Sequence, residues 1–511
     1  MKNKLCFLAL TVVGIGLSSC DKGFQEVNIN PVQPTVVDPI YLFSNAEFST
    51  TISSQTIIYE EAIVQQVLTP YNGVNEGGNH NVDVRANTMI NWNYLYSGTG
   101  NGNNGPIKLL ADVMNQTKAN TARSNLYNMA RIWKAYVFLI LVDTYGDIPY
   151  KQAGQAYLSG VNLPVYDNQQ EIYTDLLNEV DQATTALDAT KTIETGDIFF
   201  KGNIAQWKRF GNSLLLRMAM RLTKVDAQKA QTLVQKAFQN GVMQSNDDNV
   251  KIQFTSIFNS PLSNLWNGTE KANFYLAQPF IDYLKTTKDP RLKVIATKYA
   301  EPSKNPDATT EDNTPANQVG IPVGYDDGSI KTAPGFPGTV GSGGWKYSQL
   351  NRRTLGKVDA VQYYITHAQT QLLLAEAAQR GWIQGKASDF YQAGVRAHMS
   401  QITDPAYPIT AADMDAYLTA NPFDATNALN QINSQYWVAS LLNGPEAWAN
   451  WRRSGYPALA PNPYPGKTIK GDFIHRLTYP SNERSVNVTN YNLAVARQGA
   501  DDLDTRLFWD K

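Results

Sequence analysis

Apolar positions recur along most of the chain with the 3.6-residue period of an α-helix. Leu126, Met129, Trp133, Val137, Ile140 and Leu141 share one helical face. Phe138, Leu139 and Val142 widen that face, so the segment is expected to be buried on two sides. It ends at Tyr145-Gly146-Asp147-Ile148-Pro149, where glycine can turn left-handed and proline cannot continue the helix. Ile172, Leu176, Val180, Ala183 and Leu187 predict a second helix, and Trp207, Phe210, Leu214 and Met218 a third. Ala230, Leu233, Val234, Ala237 and Phe238 predict a fourth, closed by Asn240-Gly241. Further on, Tyr364, Ala368, Leu372 and Ala375, then Phe390, Ala393 and Ala397, predict two more.

The predicted helices over about 202–240 and 360–400 form close pairs joined by short turns. That pairing suggests degenerate tetratricopeptide-like hairpins, since no strict 34-residue consensus survives. Between the pairs lie long stretches without period, at 69–104, 242–275 and 300–358; residues 301–345 are rich in Pro, Gly, Asn, Asp and Thr. Loops of this length in a compact domain are usually functional. The expected fold class is all-α: tetratricopeptide-like helix pairs forming a scaffold, with long irregular loops on one face.

The N-terminus breaks this pattern. Lys2 and Lys4 precede an apolar run from Leu5 to Leu17, which reads as a signal peptide over residues 1–19. Its thirteen residues fall short of the roughly 20 that span a bilayer. The run ends in Leu17-Ser18-Ser19-Cys20, which looks like a bacterial lipoprotein box with Cys20 as the lipidated residue. Residues 20–40, with Pro31, Pro34 and Pro39, are expected to form an extended tether, leaving 41–511 as a single helical domain with loop insertions. Cys6 leaves with the signal, so the mature chain holds one cysteine and can form no internal disulfide.

Charge adds little. Lys and Arg total 44 against 45 Asp and Glu, which gives no support for a nucleic-acid partner or a polybasic membrane role. No catalytic constellation emerges either. Gly100-Asn101-Gly102-Asn103-Asn104-Gly105 satisfies G-x-G-x-x-G, but no parallel-strand pattern surrounds it. Gly466-Lys467-Thr468 resembles the end of a phosphate loop, yet Pro461 stands where the first glycine belongs. His80, His367, His398 and His475 form no H-E-x-x-H and no ligand pair at helical spacing, so neither a metal nor a cofactor is expected. G-x-S-x-G is absent. A glycosidase needs two carboxylates at a set separation in space, which spacing along a chain does not reveal. A secreted hydrolase stays as a remote alternative.

Several long segments, in order, resemble the SusD/RagB family of outer-membrane nutrient-binding lipoproteins. They are ARIWKAYVFLILVDTYGDIPY (130–150), QPFIDYLKTTKDPRL (278–292), VQYYITHAQTQLLLAEAAQRGW (361–382), INSQYWVASLLNGPEAWANWRRSGYPAL (432–459) and RLTYPSNERSVNVTNYNLAVARQGADDLDTRLFWD (476–510). The family commonly ends in Trp-Trp-Asp, whereas here Phe508 precedes Trp509 and Asp510. The resemblance implies a non-catalytic, lipid-anchored cell-surface protein that delivers oligosaccharides to a SusC-like TonB-dependent barrel in the outer membrane. The RagB branch implies peptides instead. Within 432–459, a helix through Tyr436 to Arg453 would place Tyr436, Trp448 and Arg452 on related faces, with Glu446 free to pair with an arginine and Gly455 and Pro457 ending it. We assign that cluster to packing and charge pairing rather than to ligand.

For ligand contacts the residues of choice are loop aromatics outside the helical period: Tyr71 and His80 in the first long loop, Trp266 and Tyr275 in the second, Trp345 in the third. Sugar rings carry apolar C–H faces that stack on such planes, while amides such as Asn79 and Asn267 can meet hydroxyls. Trp266 leads, because Asn264, Asn267 and Gly268 surround it and no apolar period claims it.

The anchor is directly testable. A Cys20→Ala protein is expected to leave the membrane fraction, since a tether without acyl chains holds no other firm anchor. Unchanged association in a strain that also lacks the barrel would refute lipidation at Cys20.

Overall fold

The computed structural model describes residues 37–98, 105–341 and 343–511. The signal peptide, Cys20, most of the tether and all but the last residue of the Gly100–Gly105 run lie outside the described residues. The principal helices are α1 (Pro39–Ser49), α2 (Pro106–Thr117), α3 (Ser124–Tyr145), α4 (Gln169–Ala186), α5 (Ile204–Arg221) and α6 (Ala227–Asn240). They are followed by α7 (Pro261–Asn267), α8 (His367–Gln379), α9 (Ala387–Ile402), α10 (Ala428–Ala439) and α11 (Gly444–Ser454). Strands are short and occur in small sheets: β1 (Val67–Leu68), β2 (Val250–Gln253), β3 (Tyr275–Leu276), β4 (Ala296–Tyr299), β5 (Gln349–Leu350) and β6 (Val361–Ile365). The fold class is helical, as the apolar period predicts. Among the described residues no helix is long and apolar enough to cross a membrane.

Helix pairs carry the scaffold. α3 packs on α4, α5 on α6, α8 on α9 and α10 on α11. α3 is buried along nearly its whole length, with Trp133 stacked on Tyr136 at 4.7 Å. It stops at Gly146, whose φ of 82° suits glycine and where a Cβ would fall 2.2 Å from Gln498 Oε1. Local chemistry sets other ends. The Asn168 side chain accepts from Gln170 N and Glu171 N to start α4, and Thr366 and Gln369 form a capping box at α8.

Four sequence expectations need correcting. The tether does not extend to residue 40: Asp38 caps α1 by accepting from Ile40 N at 3.0 Å, and Pro39 occupies its first turn, where a missing N–H costs nothing. Tyr364 lies in β6, not in a helix. Val361-Gln362-Tyr363-Tyr364-Ile365 is β-branched and aromatic, and it pairs antiparallel with β2, Lys251 opposite Tyr363. Residues 242–275 are not wholly irregular, since they hold β2 and α7. Finally, Tyr436–Arg453 is two helices. The chain turns at Leu442, with φ of 68°, before Pro445 opens α11.

The 444–457 cluster is buried structure. Glu446 accepts from the Tyr436 hydroxyl at 2.6 Å and from Arg221 at 2.6 Å, with Arg217 at 3.3 Å, so its arginine partners come from α5 rather than from its own helix. Arg221 also reaches Asp143 at 3.3 Å, which Tyr173 binds at 2.6 Å. Arg453 forks onto Glu376 at 2.8 and 2.7 Å. Arg452 lies over the Trp448 ring at 3.7 Å and near Trp509 at 4.8 Å, and donates to the carbonyls of Asp143 and His475, both at 2.6 Å. Gly455 ends α11 in the left-handed region at φ of 79°. Phe508 packs edge-on to Tyr173 at 5.2 Å, so an aromatic other than tryptophan serves there.

Burial pushes the Glu376 carboxyl up, but Arg453 and then Arg380 outweigh it and hold the group down to about 2. A folded value below the ordinary 4.5 means that its stabilisation is complete above about pH 4.5 and fades as pH falls toward 2. Glu376→Gln is expected to cost about 3–5 kcal/mol at neutral pH, because Arg453 is left buried without its partner. It should also flatten the acid limb of the urea midpoint plotted against pH. A wild-type acid limb in the variant would refute the pairing.

Candidate functional site

The long loops gather over a second, smaller core built from Ala62, Leu68, Tyr275, Ala277, Ile321, Ile330, Ala333, Trp345 and Tyr347. Backbone pairing brings these distant segments together. β1 runs antiparallel to β3, Leu68 opposite Tyr275, and Ala277 bridges Ile321 in parallel. Leu276 N donates to Ser348 O at 2.9 Å and Ser348 N to Val319 O at 2.8 Å, so residues 319 and 348 flank the strand. The buried Tyr275 hydroxyl donates to Ala272 O at 2.6 Å and accepts from Trp345 N at 3.0 Å. Gly344 makes that approach possible: its φ is 94°, and a Cβ there would sit 2.6 Å from the Tyr275 hydroxyl.

Above this layer lie rings that solvent can reach. Tyr71, half-buried, leans on Trp345 with centroids 5.0 Å apart. Tyr325 and Phe336, also half-buried, pack on the same small core, and Phe336 meets Tyr347 at 6.2 Å. Tyr464, from the loop after α11, covers His80 with centroids 4.5 Å apart, and its hydroxyl reaches Asp326 at 3.4 Å. The result is a shelf of aromatic faces on a buried aromatic base.

Carboxylates fringe it. Burial, then Asp327 and Glu270, pushes the Tyr71 phenol up. The Ser329 hydroxyl, donating at 2.6 Å, holds the Asp326 carboxyl below its ordinary value despite burial. Burial pushes the Tyr347 phenol up to about 12. It also lowers His80, against the Glu76 carboxylate 4.0 Å away, so the ring is neutral at pH 7.

The structure therefore brings Tyr71, Asn79, His80, Tyr275 and Trp345 into one region and leaves only Tyr71 of the five with an open face. Tyr275 and His80 are fully buried and Trp345 is 5% exposed, so the expectation that loop aromatics stand free is corrected for them. Asn79 is also committed: its amide donates to Thr69 O and Tyr325 O and its Oδ1 accepts from Gly324 N, all at 2.9–3.1 Å. It ties one loop to the other rather than pointing at solvent.

Trp266 and Asn267 lie apart from the shelf. Trp266 sits in α7, capped by Ser260, with 4% exposure, edge-on to Phe274 at 5.6 Å. Asn267 spends both amide hydrogens on Ser263 O at 3.0 Å and Gly356 O at 2.7 Å. Seven residues are too few to display a helical period, which is why α7 reads as loop. Tyr325, Phe336 and Tyr347 were missed although they meet the criterion that selected Trp345: aromatic, and within 300–358.

One further groove, about 460 Å³, is lined by Trp92, Tyr96, Tyr157, Asn93, Asn162 and Asn487 among others. Part of its polar reach is committed. The Tyr96 hydroxyl donates to Pro149 O at 2.5 Å and the Asn487 amide to Pro164 O at 2.9 Å. The other histidines are likewise engaged singly, His367 with Met243 O, His398 with Arg291 and His475 with Asp510.

Comparison with known proteins places these features. The family model SusD-like, described as starch-binding and associating with the outer membrane, matches residues 31–480. Among solved structures, a chitin-binding protein is 30% identical with a TM-score of 0.79, covering 93% of this chain and 100% of its own. A SusD-like protein of Bacteroidetes AC2a is 29% identical with a TM-score of 0.81, covering 93% and 100%. A chitin-binding SusD homologue from Flavobacterium johnsoniae, 23% identical with a TM-score of 0.74 over 93% and 98%, shares the fold. Among curated proteins nothing matches.

The burial of Trp266 reverses what its mutation should do. Trp266→Ala is expected to destabilise the protein by about 3–5 kcal/mol, as large core truncations do. Ligand affinity of the folded protein should persist. A lost affinity with an unchanged melting temperature would restore Trp266 as a binding platform.

Proposed function

The chain belongs to the SusD-like family, whose members are non-catalytic carbohydrate-binding proteins, and on that premise we propose that it binds oligosaccharides at the loop-borne aromatic shelf and hands them to an outer-membrane transporter. The observation that carries this reading is the half-buried Tyr71 leaning on Trp345 at 5.0 Å, with Tyr325, Phe336 and Tyr464 beside it. Rings whose positions are fixed by a buried base offer flat apolar faces at little conformational cost, which is what the C–H face of a sugar needs. In the buried layer the Tyr275 hydroxyl and the Asn79 amide are satisfied internally, so specificity would come from the rim: Asn72, Asp327, Lys331 and Lys346 are exposed there.

The relatives named for chitin binding make N-acetylglucosamine oligomers the first ligands to test. A peptide ligand is the second reading; the carboxylates Glu76 and Asp327 near the shelf could meet an amino terminus, whereas the ring faces favour sugars.

The remaining parts follow the same proposal. Residues 1–19 direct export, Cys20 carries the lipid, the segment from there to Val37 is the leash, and the rest folds as one unit at the outer-membrane surface. The partner is a SusC-like TonB-dependent barrel, since the described chain has no helix able to cross a membrane and a ligand it holds must pass through something else.

Calorimetry with chitin oligomers tests the shelf. Tyr71→Ala is expected to lose about 1–3 kcal/mol of binding, the range for aromatic anchors. Its melting temperature should scarcely move, because the ring is only partly buried. Full affinity in Tyr71→Ala together with full affinity in Tyr464→Ala would refute binding at this shelf.

A further inference from the structure

The first described helix presents a face that the described residues leave largely open. α1 buries Ile40, Phe43, Ala46 and Glu47 and leaves Tyr41, Asn45 and Phe48 outward, at spacings of four and three residues. Tyr41 is 66% exposed and Phe48 38%. Glu47 is the only charged residue of this helix and it is buried, so the outward face carries no charge. Against its far end stands a tight turn, Thr255–Phe258, closed by Thr255 N donating to Phe258 O at 2.9 Å and by the Thr255 hydroxyl accepting from Phe258 N at 3.0 Å. The tip of that turn is apolar: Ile257 is 82% exposed and Phe258 64%. Phe48 meets Phe258 at 6.3 Å and the buried Phe254 at 6.0 Å, which joins helix and turn into one patch. Thr255, Ser256, Asn259 and Ser260 add no charge; exposed cations nearby are Lys251, on the strand leading in, and Lys201, whose charge acts on the buried Glu47.

What lies against this patch is indicated by where the chain goes. α1 begins at Pro39, and sixteen residues, 21–36, separate Cys20 from Val37. At full extension that segment reaches about 60 Å at most. The Asp38 carboxylate, bound by Arg123 at 2.9 Å, pins the near end of α1, so the leash starts one turn from Tyr41. An uncharged, aromatic face at the root of a lipid-linked segment matches the headgroup boundary of a bilayer, where aromatic rings are favoured.

We infer that the patch formed by Tyr41, Phe48, Ile257 and Phe258 rests on the lipid surface and sets the orientation of the anchored protein. The inference depends on lipidation at Cys20. Phe48 is already mostly covered and only Tyr41, Ile257 and Phe258 stand well out, so the patch orients the protein without holding it to the membrane alone. Proteins from which Cys20 is removed should still leave the membrane fraction.

The mature chain has no other cysteine, so a single introduced thiol reports one position. The full lipidated chain carrying Ser256→Cys, labelled with a fluorophore, is reconstituted into phosphatidylethanolamine–phosphatidylglycerol vesicles containing nitroxide lipid. Gln384→Cys, on an exposed polar turn, serves as control. Quenching at 256 is expected to exceed that at 384 by about twofold or more, as shallow interfacial burial requires. Adding Ile257→Ser and Phe258→Ser should erase the difference. Equal quenching at both sites in protein that floats with the vesicles overturns the patch, as does a difference that needs the barrel to be present. Protein that fails to float at all overturns the anchor, and the inference with it.

Discussion

Buried arginine–carboxylate pairing around α11 is the constraint on which the rest of the architecture depends. Glu446, Arg452 and Arg453 lie within eight positions of one another, yet their partners come from α3 (Asp143), α5 (Arg217 and Arg221), α8 (Glu376) and α10 (Tyr436). Taking such charges out of water is costly, and the cost is offset only where geometry is close and the remaining hydrogen-bonding atoms are met. Here Arg453 forks onto Glu376 and also reaches the side-chain oxygens of Asn433 and Asn450. Arginine suits these positions because its planar fork matches a carboxylate and its face stacks on Trp448, neither of which a lysine would reproduce. Helix pairs could slide along their apolar faces at modest cost, whereas paired charges fix one register.

Amides as well as charges tie the loops down. Asn79 joins the first loop to residues 324 and 325, and Asn462 donates to the Asn79 carbonyl at 2.7 Å. Gln318 and Ser348 bind each other at 2.8 Å and hold the two ends of the third loop side by side. Each amide replaces the water that an irregular backbone would otherwise demand, which allows long loops to pack over a second core. The shelf is then as rigid as its base. A flat apolar ligand can be met by surfaces already in place, with little ordering left to do on binding.

How much of this was legible in the chain follows from the range of the interactions. Helices with a buried stripe, such as Leu126 to Leu141 or Ile172 to Val180, announce themselves because their period is local. The cluster at 444–457 was assignable to packing because two indoles and three charges on a short helix rarely face solvent together. β6 failed because Tyr364, Ala368, Leu372 and Ala375 keep a helical spacing across a strand–helix junction that Thr366 marks. Tyr275 and Trp345 failed for a different reason. Their burial arises where segments some 70–200 residues apart meet, and no window of sequence contains both sides of such a contact. Asn79 and Asn267 read as free amides because their acceptors are backbone carbonyls, which every residue carries. Family resemblance recovered the family and its carbohydrate-binding character where local pattern could not.

The position of the charge cluster along the chain has its own outcome. Asp143 pairs with Arg221 and Glu376 with Arg380, but Glu446 and Arg453, which complete the cluster, come only with residues 446–453, and Trp509 over Arg452 comes almost last. Until residues 446–453 are made the cluster lacks Glu446 and Arg453, so its charges are incompletely matched and favour water over the interior. The register that ties α3, α5, α8 and α10 together is thus complete only once the C-terminal segment of the chain is present.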